Sequence, residues 1–202
     1  MSAPVGVLWD VGNVIVRWDP RTLYSKIFPD PDVRDRFLGE VCTMAWHGEH
    51  DRGRTVDEGV ALLTAQHPNH AEPIAAWRDR WWEMFSGAIE ETEAVIEELH
   101  EAGVPQYGLT NMSIETWPGT QALSPVFARL RDVVVSAEEG LIKPDPAIFE
   151  VALERAGLDP HELLFVDDSA KNIEAAHGMG FAVHHFTDPA ALRPAIVNFG
   201  LL

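Results

Sequence analysis

The chain has 202 residues, of which 46% are hydrophobic and 23% are charged, and its formal net charge is −17. This composition is typical of a folded globular protein and excludes a disordered chain. The negative charge disfavours nucleic acids and anionic membrane surfaces as partners. Cys42 is the only cysteine, which excludes an intramolecular disulfide and a cysteine-rich zinc site.

The amino terminus has no basic region, and a short apolar run, Val5–Trp9, precedes Asp10. A run of this length, ending at an acid, predicts a buried first strand rather than a signal peptide. No apolar segment approaches the ~20 residues that a membrane span requires. We therefore expect a soluble, cytoplasmic protein.

The pattern changes over residues 17–89, where apolar residues recur at helical spacing. Val56–Gln66 and Ile74–Phe85 are the clearest examples, and no strand is predicted in this region. Helical spacing also places the tryptophans of the second segment in a packed core or a self-association surface rather than a ligand cage. The chain is expected to be a monomer or a homodimer.

Strands and helices alternate in the remainder of the chain. The predicted elements are a helix at Glu91–Ala102, strands at Val104–Leu109 and Val133–Val135, a helix at Pro146–Ala156, a strand at Leu163–Val166, a helix at Ala170–Met179 and a strand at Ala182–Phe186. Such alternation implies a parallel sheet covered on both faces. We predict a doubly wound, Rossmann-like α/β core formed by residues 1–16 and 90–202, with residues 17–89 inserted after its first strand as a small helical cap.

Polar side chains follow four of the predicted strands. In chain order these residues are Asp10, Thr110 with Asn111, Lys143, and Asp167 with Asp168. In open parallel sheets, ligands bind beyond the carboxyl ends of the strands. We therefore expect the four strand ends to supply a carboxylate, a hydroxyl–amide pair, an ammonium group and an acidic pair to one cleft.

Each of these residues also has a purely structural interpretation. Acids that follow a strand or precede a helix are commonly turn or cap residues, and Thr110 and Asn111 fit the same description. Lys143 could be a solvated surface lysine. Its neighbours Asp145 and Pro146 are expected to be a helix cap and a first-turn proline. The convergence of four strand ends favours a shared chemical role over these separate explanations.

The combination of groups suits phosphoryl transfer. The Asp10 carboxylate can attack phosphorus to form an acyl phosphate, once a divalent cation offsets the repulsion between the two anions. Asp10 and Asp168 provide the hard oxygen ligands that Mg²⁺ prefers. Thr110 and the Asn111 amide can hold phosphate oxygens, and Lys143 can neutralise their charge.

The same residues resemble the motifs of a known family. The ordered segments Asp-x-x-x-Val, Leu-Thr-Asn, Lys-Pro-Asp-Pro and Phe-Val-Asp-Asp resemble the four motifs of the haloacid dehalogenase superfamily, and together they cover nearly the whole chain. The form Asp-x-Gly-Asn-Val-Ile-Val is similar to the bacterial α-D-glucose-1-phosphate phosphatases and to the N-terminal phosphatase domain of soluble epoxide hydrolases.

The resemblance implies a Mg²⁺-dependent phosphatase acting on a small phosphorylated metabolite, with a sugar 1-phosphate as one candidate. Asp10 would be the nucleophile and a metal ligand, joined by the Gly12 carbonyl and Asp168, with Asp167 in or near the metal shell. Asn172 would support the acidic loop. The residues that would bind phosphate or substrate are Gly12, Asn13, Thr110, Asn111 and Lys143. From the residue type alone, Gly12 is expected to allow a turn with positive φ.

One position departs from the family pattern. Most phosphatases of the superfamily place a second aspartate two residues after the nucleophile, as general acid and base, whereas this chain has Gly12. The loss of such a group costs about 10²–10⁴-fold in rate. The leaving group of the substrate could need little help, which the resemblance to sugar 1-phosphate enzymes favours, or catalysis could be vestigial. Alternatively, the cap could supply the proton from one polar cluster, which consists of His47, Glu49, His50 and Asp51. This cluster could equally be a solvated helix end.

Three other functions compete with the phosphatase. A 2-haloacid dehalogenase would use the same nucleophile without metal, but the acidic pair Asp167–Asp168 would repel its carboxylate substrate. A signalling receiver domain is also phosphorylated on aspartate, but it lacks a cap and carries its acidic pair near the first strand. A catalytically silent binding module is motivated by Gly12.

Overall fold

The computed structural model describes residues 3–202. Within that range it contains a five-stranded parallel sheet in the order β5-β4-β1-β6-β7 and a two-stranded antiparallel ribbon, β2-β3. The strands are β1 (Gly6–Trp9), β2 (Val16–Trp18), β3 (Phe85–Ala88), β4 (Gln106–Thr110), β5 (Val133–Val135), β6 (Leu163–Asp167) and β7 (Ala182–His185). The predicted doubly wound α/β fold is confirmed.

Helices lie between the strands and cover both faces of the parallel sheet. They are α1 (Pro20–Ile27), α2 (Pro31–Glu40), α3 (Met44–Asp51), α4 (Val56–Gln66), α5 (Ala71–Asp79), α6 (Glu90–Glu101), α7 (Trp117–Gln121), α8 (Ser136–Glu139), α9 (Pro146–Ala156), α10 (Ala170–Gly178) and α11 (Pro189–Asn198). Short 3₁₀ turns at residues 68–70, 81–84, 125–129 and 160–162 complete the described secondary structure.

The alternation of side chains along β1 divides the core into two layers. Val7 and Trp9 point to the face covered by α6 and α11, whereas Leu8 points to the face covered by α9 and α10. All four residues of β1 are buried, as expected for a central strand between two helical layers. The full burial of side chains of this kind stabilises the fold by about 1.5–3 kcal/mol each.

Several cap helices begin at residues that the sequence marks as caps. The Asp19 side chain accepts a hydrogen bond from the Arg21 N–H at the start of α1. Thr55 and Glu58 form a reciprocal capping box at the start of α4. These contacts satisfy N–H groups that have no partner within the helix. The local sequence therefore determines where these helices start.

The cap, by which we mean residues 17–89, has a hydrophobic cluster of its own. Its buried centre includes Leu23, Tyr24, Ile74, Trp77 and Met84, all with less than 2% of their surface exposed. The structure thus places Trp77 and Trp81 in a packed core, as expected from their helical spacing, whereas Trp82 is 46% exposed and does not fit that expectation. No helix among residues 3–202 is both long enough and apolar enough to cross a membrane.

The prediction that this region contains no strand is wrong. β2 and β3 pair antiparallel, with Val16 opposite Ala88 and Trp18 opposite Phe85, so the ribbon lies where the chain enters and leaves the cap. The two strands have only three and four residues. Their pairing joins segments about seventy positions apart in sequence, and no local periodicity reveals such a contact.

The helix predicted at Ile74–Phe85 is also shorter than expected. α5 ends at Asp79, a 3₁₀ turn covers Trp81–Met84, and Phe85 already belongs to β3. The Arg80 backbone leaves the helical region at φ −127° and ψ 23°. Pairing of Phe85 with Trp18 in the ribbon outweighs the helical preference of this segment.

Candidate active site

The strand register brings two acids together at the carboxyl edge of the sheet. Trp9 of β1 lies opposite Val166 of β6, so Asp10 and Asp167 follow at neighbouring positions. The Asp10 N–H donates to the Val166 carbonyl at 2.9 Å and holds the nucleophile candidate against β6. Parallel pairing of buried strands therefore suffices to place both carboxylates at one edge.

Lys143 lies between these two carboxylates. Its Nζ is 2.8 Å from Asp10 Oδ1 and 2.7 Å from Asp167 Oδ2, and only 3% of the lysine is exposed. The alternative of a solvated surface lysine is wrong. Asp145, two residues on, accepts a hydrogen bond from the Ala147 N–H and caps α9, as predicted.

Asp167 is held by a network of donors and is fully buried. In addition to Lys143, its carboxylate accepts hydrogen bonds from the Ser169 N–H at 2.7 Å and from Asn172 Nδ2 at 3.0 Å to each oxygen. Asn172 thus contacts the acidic loop directly. Such a network fixes the carboxylate, because two of its donors, Ser169 and Asn172, lie at the start of α10 and the third is the buried Lys143.

Thr110 and Asn111 lie at the end of β4, and both line the same cavity as Asp10. The Asn111 side chain is engaged with the Lys143 backbone: Oδ1 accepts from the Lys143 N–H at 2.8 Å, and Nδ2 donates to the Lys143 carbonyl at 3.0 Å. This pair of contacts positions the lysine loop. The Asn111 side-chain amide is therefore committed to the protein.

The expected positive φ at Gly12 is wrong, since the left-handed residue in this turn is Asn13, with φ 58°. Asparagine tolerates this conformation because its short polar side chain can bond locally. Here Asn13 Oδ1 accepts a hydrogen bond from the Trp18 N–H at 3.0 Å. A Cβ added to Gly12 would meet no atom within 4 Å, so the turn itself does not demand glycine there.

Three acids and one lysine lie together in this site. One oxygen from each of Asp10, Asp167 and Asp168 lies within 4.8 Å of the others. Burial raises the pKa of Asp10 above its ordinary value against the opposing effect of Lys143, and the charge of Asp167 adds to the rise. Burial also raises the pKa of Asp168, again with a contribution from Asp167. The carboxylates therefore lack sufficient compensating charge.

A divalent cation fits this site. Three carboxylates against one ammonium group leave an excess of two negative charges, which one divalent cation would balance. The donors are hard oxygens close enough to share an ion, as Mg²⁺ coordination requires. Asp167 and Asp10 are almost completely buried, whereas Asp168 is exposed. The residues present therefore suit Mg²⁺.

The cavity beside Asp10 has a volume of about 210 Å³ and lies between the sheet edge and the cap. One part of its wall is polar and belongs to the strand ends described above. The other part is largely apolar and is formed by Trp18, Met44, Trp81, Phe85 and Met112. Four of these five apolar side chains come from the cap, so this region shapes the part of the site farthest from the sheet.

Two of the four polar cap candidates line the cavity. These are His47 and Asp51, one turn apart on α3, with 8% and 6% of their surfaces exposed. His50 is buried elsewhere, against Trp46 and in the space left by Gly59, where an added Cβ would lie 1.9 Å from His50 Nε2.

Glu49, the fourth candidate, is exposed at the surface and forms an ion pair with Arg52. The solvated-helix-end interpretation therefore holds for Glu49 alone. It is wrong for His47, His50 and Asp51, which are all buried.

Sequence reasoning missed Ser136 as a residue of this region. Its hydroxyl donates to the Asp51 carbonyl at 2.6 Å and accepts from the Met112 N–H at 2.9 Å, and the side chain is fully buried. Ser136 follows β5 directly, so it is another polar residue at a strand carboxyl end. Its position directly after the apolar run Val133–Val135 is the sequence signal that marks it.

Comparison with known proteins establishes the family. The model of haloacid dehalogenase-like hydrolases matches residues 6–180, which is most of the chain. The chain belongs to this hydrolase family.

The haloacid dehalogenase fold also agrees with solved structures. The family enzyme bt-2542 from Bacteroides thetaiotaomicron, in complex with magnesium and inorganic phosphate, has a TM-score of 0.70 at 21% identity, over 94% of this chain and 98% of that one.

Curated relatives in the haloacid dehalogenase family include enzymes of two kinds. Sesquiterpene phosphatase astK from Aspergillus oryzae is 25% identical over 188 residues, which is 91% of this chain and 90% of the relative. (S)-2-haloacid dehalogenase 4A from Burkholderia cepacia is 29% identical over 138 residues, which is 67% of this chain and 58% of the relative. The family membership therefore leaves both phosphate and halide chemistry open.

Proposed function

We propose that this hydrolase is a Mg²⁺-dependent phosphatase that cleaves a small phosphorylated metabolite through an aspartyl phosphate on Asp10. The observation that carries the proposal is the cluster of Asp10, Asp167 and Asp168 around the buried Lys143 ammonium. A metal-free dehalogenase has no use for the two further acids, and their charge would repel a carboxylate substrate. The phosphatase name of one relative and the magnesium and phosphate bound to one neighbour agree with this choice.

The metal would be held by the carboxylates of Asp10, Asp167 and Asp168, with the Gly12 carbonyl as a further ligand. A bound Mg²⁺ supplies positive charge that offsets the repulsion between the nucleophile and the phosphate. The contacts of the Asp10 carboxylate to Lys143 and to the Val11 N–H both fall on Oδ1. Oδ2 is thus the oxygen we assign to attack on phosphorus.

Residues of the sheet edge would hold the phosphate. Thr110 is 99% buried at the end of β4 and presents a hydroxyl to the cavity. Because the Asn111 side chain is bound to the Lys143 loop, we assign the phosphate contact to the Asn111 backbone N–H. Lys143 would neutralise charge on the transferring group, and Asn13 lies at the cavity mouth beside Asp168.

The wall of the cavity favours an apolar organic group on the phosphate. Tryptophan, phenylalanine and methionine side chains line the side opposite the acids, as in sites that bury hydrophobic ligands. The relative that acts on a sesquiterpene phosphate agrees with this preference. A sugar 1-phosphate is the second candidate, favoured by the Asp-x-Gly-Asn-Val segment at residues 10–14.

A phosphate-release assay with and without chelator tests the proposal. The substrates to compare are a prenyl monophosphate, glucose 1-phosphate, glucose 6-phosphate, acetyl phosphate and 2-chloropropionate. We expect Mg²⁺-dependent phosphate release, fastest with the apolar ester and abolished by Asp10→Asn. Release of chloride without metal, with no ester cleaved, would replace this proposal with the dehalogenase.

A further inference from the structure

A phosphatase mechanism on Asp10 needs a proton for the departing oxygen, and the sheet edge lacks an obvious donor. Gly12 stands where the family pattern described above places the acid. Lys143 is committed to two carboxylates. This inference rests on the proposed function, and it concerns the residue that completes the reaction.

Asp51, the last residue of α3, lines the same cavity as Asp10. The side chain is about nine-tenths buried, and its Oδ1 has no hydrogen-bond partner anywhere in residues 3–202. Its Oδ2 lies 3.6 Å from His47 Nε2, beyond good hydrogen-bond distance. An unpaired oxygen of a buried carboxyl group costs free energy in a purely structural role. A substrate would supply the missing partner.

The cap is anchored to the sheet at this residue. The Ser136 hydroxyl donates to the Asp51 carbonyl at 2.6 Å and simultaneously accepts from the Met112 N–H, two residues after Thr110. Ser136 thereby links the Asp51 backbone to the ends of β4 and β5. This contact anchors the Asp51 backbone beside the edge where the phosphate would bind.

The surroundings of Asp51 favour its protonated form. Burial raises its pKa to about 7, against the opposing effects of Arg52 and Lys143. Burial lowers the pKa of His47, the titratable group that faces it from α3, to about 4, so this imidazole is neutral near pH 7. A carboxyl group with a pKa near the working pH is suited to both donating and accepting a proton.

We propose that Asp51 is the general acid and base that the cap supplies in place of an aspartate at position 12. In the first step Asp10 forms a bond to phosphorus, the bond from phosphorus to the ester oxygen breaks, and that oxygen takes the Asp51 proton and leaves as an alcohol. In the second step Asp51 accepts a proton from water as the water oxygen attacks phosphorus. The bond to Asp10 breaks, and inorganic phosphate leaves.

The other cap candidates are less suited to this role. Glu49 and His50 do not line the cavity. His47 lines it, but its ring is stacked on Trp18 and surrounded by Trp77 and Trp81, and it carries no proton to spare near pH 7. His47 Nε2 faces Asp51 Oδ2 at 3.6 Å, so Oδ1 is the carboxyl oxygen left for the substrate.

The experiment compares two esters that differ in how strongly they need an acid. An alkyl phosphate has a basic leaving group, whereas 4-nitrophenyl phosphate has a weakly basic one. We compare kcat/KM, which reports the first step only, because both esters share the second step, in which Asp51 acts as base. We expect Asp51→Asn to lower kcat/KM for the alkyl ester by about 10²–10⁴-fold and to change kcat/KM for the nitrophenyl ester by less than about tenfold. Asp51→Glu, which keeps the carboxyl group, should recover part of the loss. Glu72→Gln, at an exposed acid of the cap, is the matched control.

The ratio of the values for the alkyl and nitrophenyl esters does not depend on how much of a variant preparation is folded, because both esters are measured on the same preparation. Equal losses of kcat/KM on both esters, or no loss of kcat/KM on the alkyl ester, would overturn the assignment of Asp51 while leaving the phosphatase intact. If the wild-type protein releases no phosphate from either ester with Mg²⁺, the proposed function fails, and the assignment of Asp51 fails with it.

Discussion

Lys143 Nζ lies 2.8 Å from Asp10 Oδ1, and both side chains are almost completely buried at the carboxyl edge of the sheet. The same ammonium group contacts Asp167 at 2.7 Å. One cation thus holds two carboxylates that would otherwise repel each other. Burial lowers the pKa of Lys143, but the two ion pairs outweigh that effect and raise it overall. The lysine therefore stays charged where the phosphate would bind.

Replacing Lys143 with methionine should impair both activity and stability. The substitution keeps the length of the side chain but leaves Asp10 and Asp167 without their shared partner. Breaking a buried ion pair in this way costs about 3–5 kcal/mol. We expect a loss of that order in the free energy of unfolding with chelator present, measured in denaturant, together with loss of phosphate release. The control is Lys26→Met, which removes an exposed ion pair with Glu83 and should cost below about 1 kcal/mol.

Mg²⁺ should stabilise the protein through the acidic cluster. Ligand at about 100 times its dissociation constant adds about 2.7 kcal/mol to the free energy of unfolding. We expect Tm to rise with added Mg²⁺ and to fall with chelator, and Asp168→Asn to abolish most of this response. Glu154→Gln, at an exposed acid on α9, should respond as the wild type does. An equal response in Asp168→Asn would remove Asp168 from the metal site.

An acid restored at position 12 should compensate for the loss of Asp51. The Gly12 backbone has no positive φ, and a Cβ there meets no atom within 4 Å, so aspartate fits without strain. We expect Gly12→Asp to raise kcat of the Asp51→Asn variant for an alkyl phosphate by at least about tenfold. Gly12→Ala in the same background, which adds the Cβ without the carboxyl group, should give no recovery. Equal effects of the two substitutions would contradict a shared role for positions 12 and 51.

Stability should depend on pH through His50. Burial, together with the charges of His47 and Arg54, lowers the His50 pKa to about 3. The unfolded chain takes up a proton there below about pH 6.5, whereas the folded protein does not, so stability falls as pH decreases from about 6.5 towards 3. His50→Gln should reduce this slope by up to about 1.4 kcal/mol per pH unit in denaturant titrations. His100→Gln, at an exposed position, should leave the slope unchanged, and an unchanged slope in His50→Gln would contradict this explanation.

The parallel sheet and the convergence of its strand ends could be predicted from sequence, because both follow from local patterns. The continuous apolar runs of β1 and β6 predict buried parallel strands, and Asp10 and Asp167 follow them directly. Lys143 is carried by a loop, but its burial follows from its place between two acids. The two acids are predictable because each directly follows a strand of the sheet.

The cap was harder to predict for the opposite reason. The β2–β3 ribbon and the burial of Asp51 depend on segments far apart in sequence, and α3 gave no pattern to distinguish Asp51 from exposed Glu49. The turn after β1 shows a different limit: glycine was available for the left-handed position, but local hydrogen bonding gave it to Asn13. The residue types therefore predict that a turn follows β1, but they do not predict which of its residues adopts the left-handed conformation.

In the proposed phosphatase mechanism, Asp10 becomes phosphorylated during turnover. The most direct measurement is to mix the enzyme and Mg²⁺ with a phosphate-labelled substrate, quench in acid and map the labelled peptide. We expect an acid-stable label that hydroxylamine removes, located on the peptide containing Asp10 and absent in Asp10→Asn. Turnover with the label on any other residue, or undiminished turnover in Asp10→Asn, would contradict it.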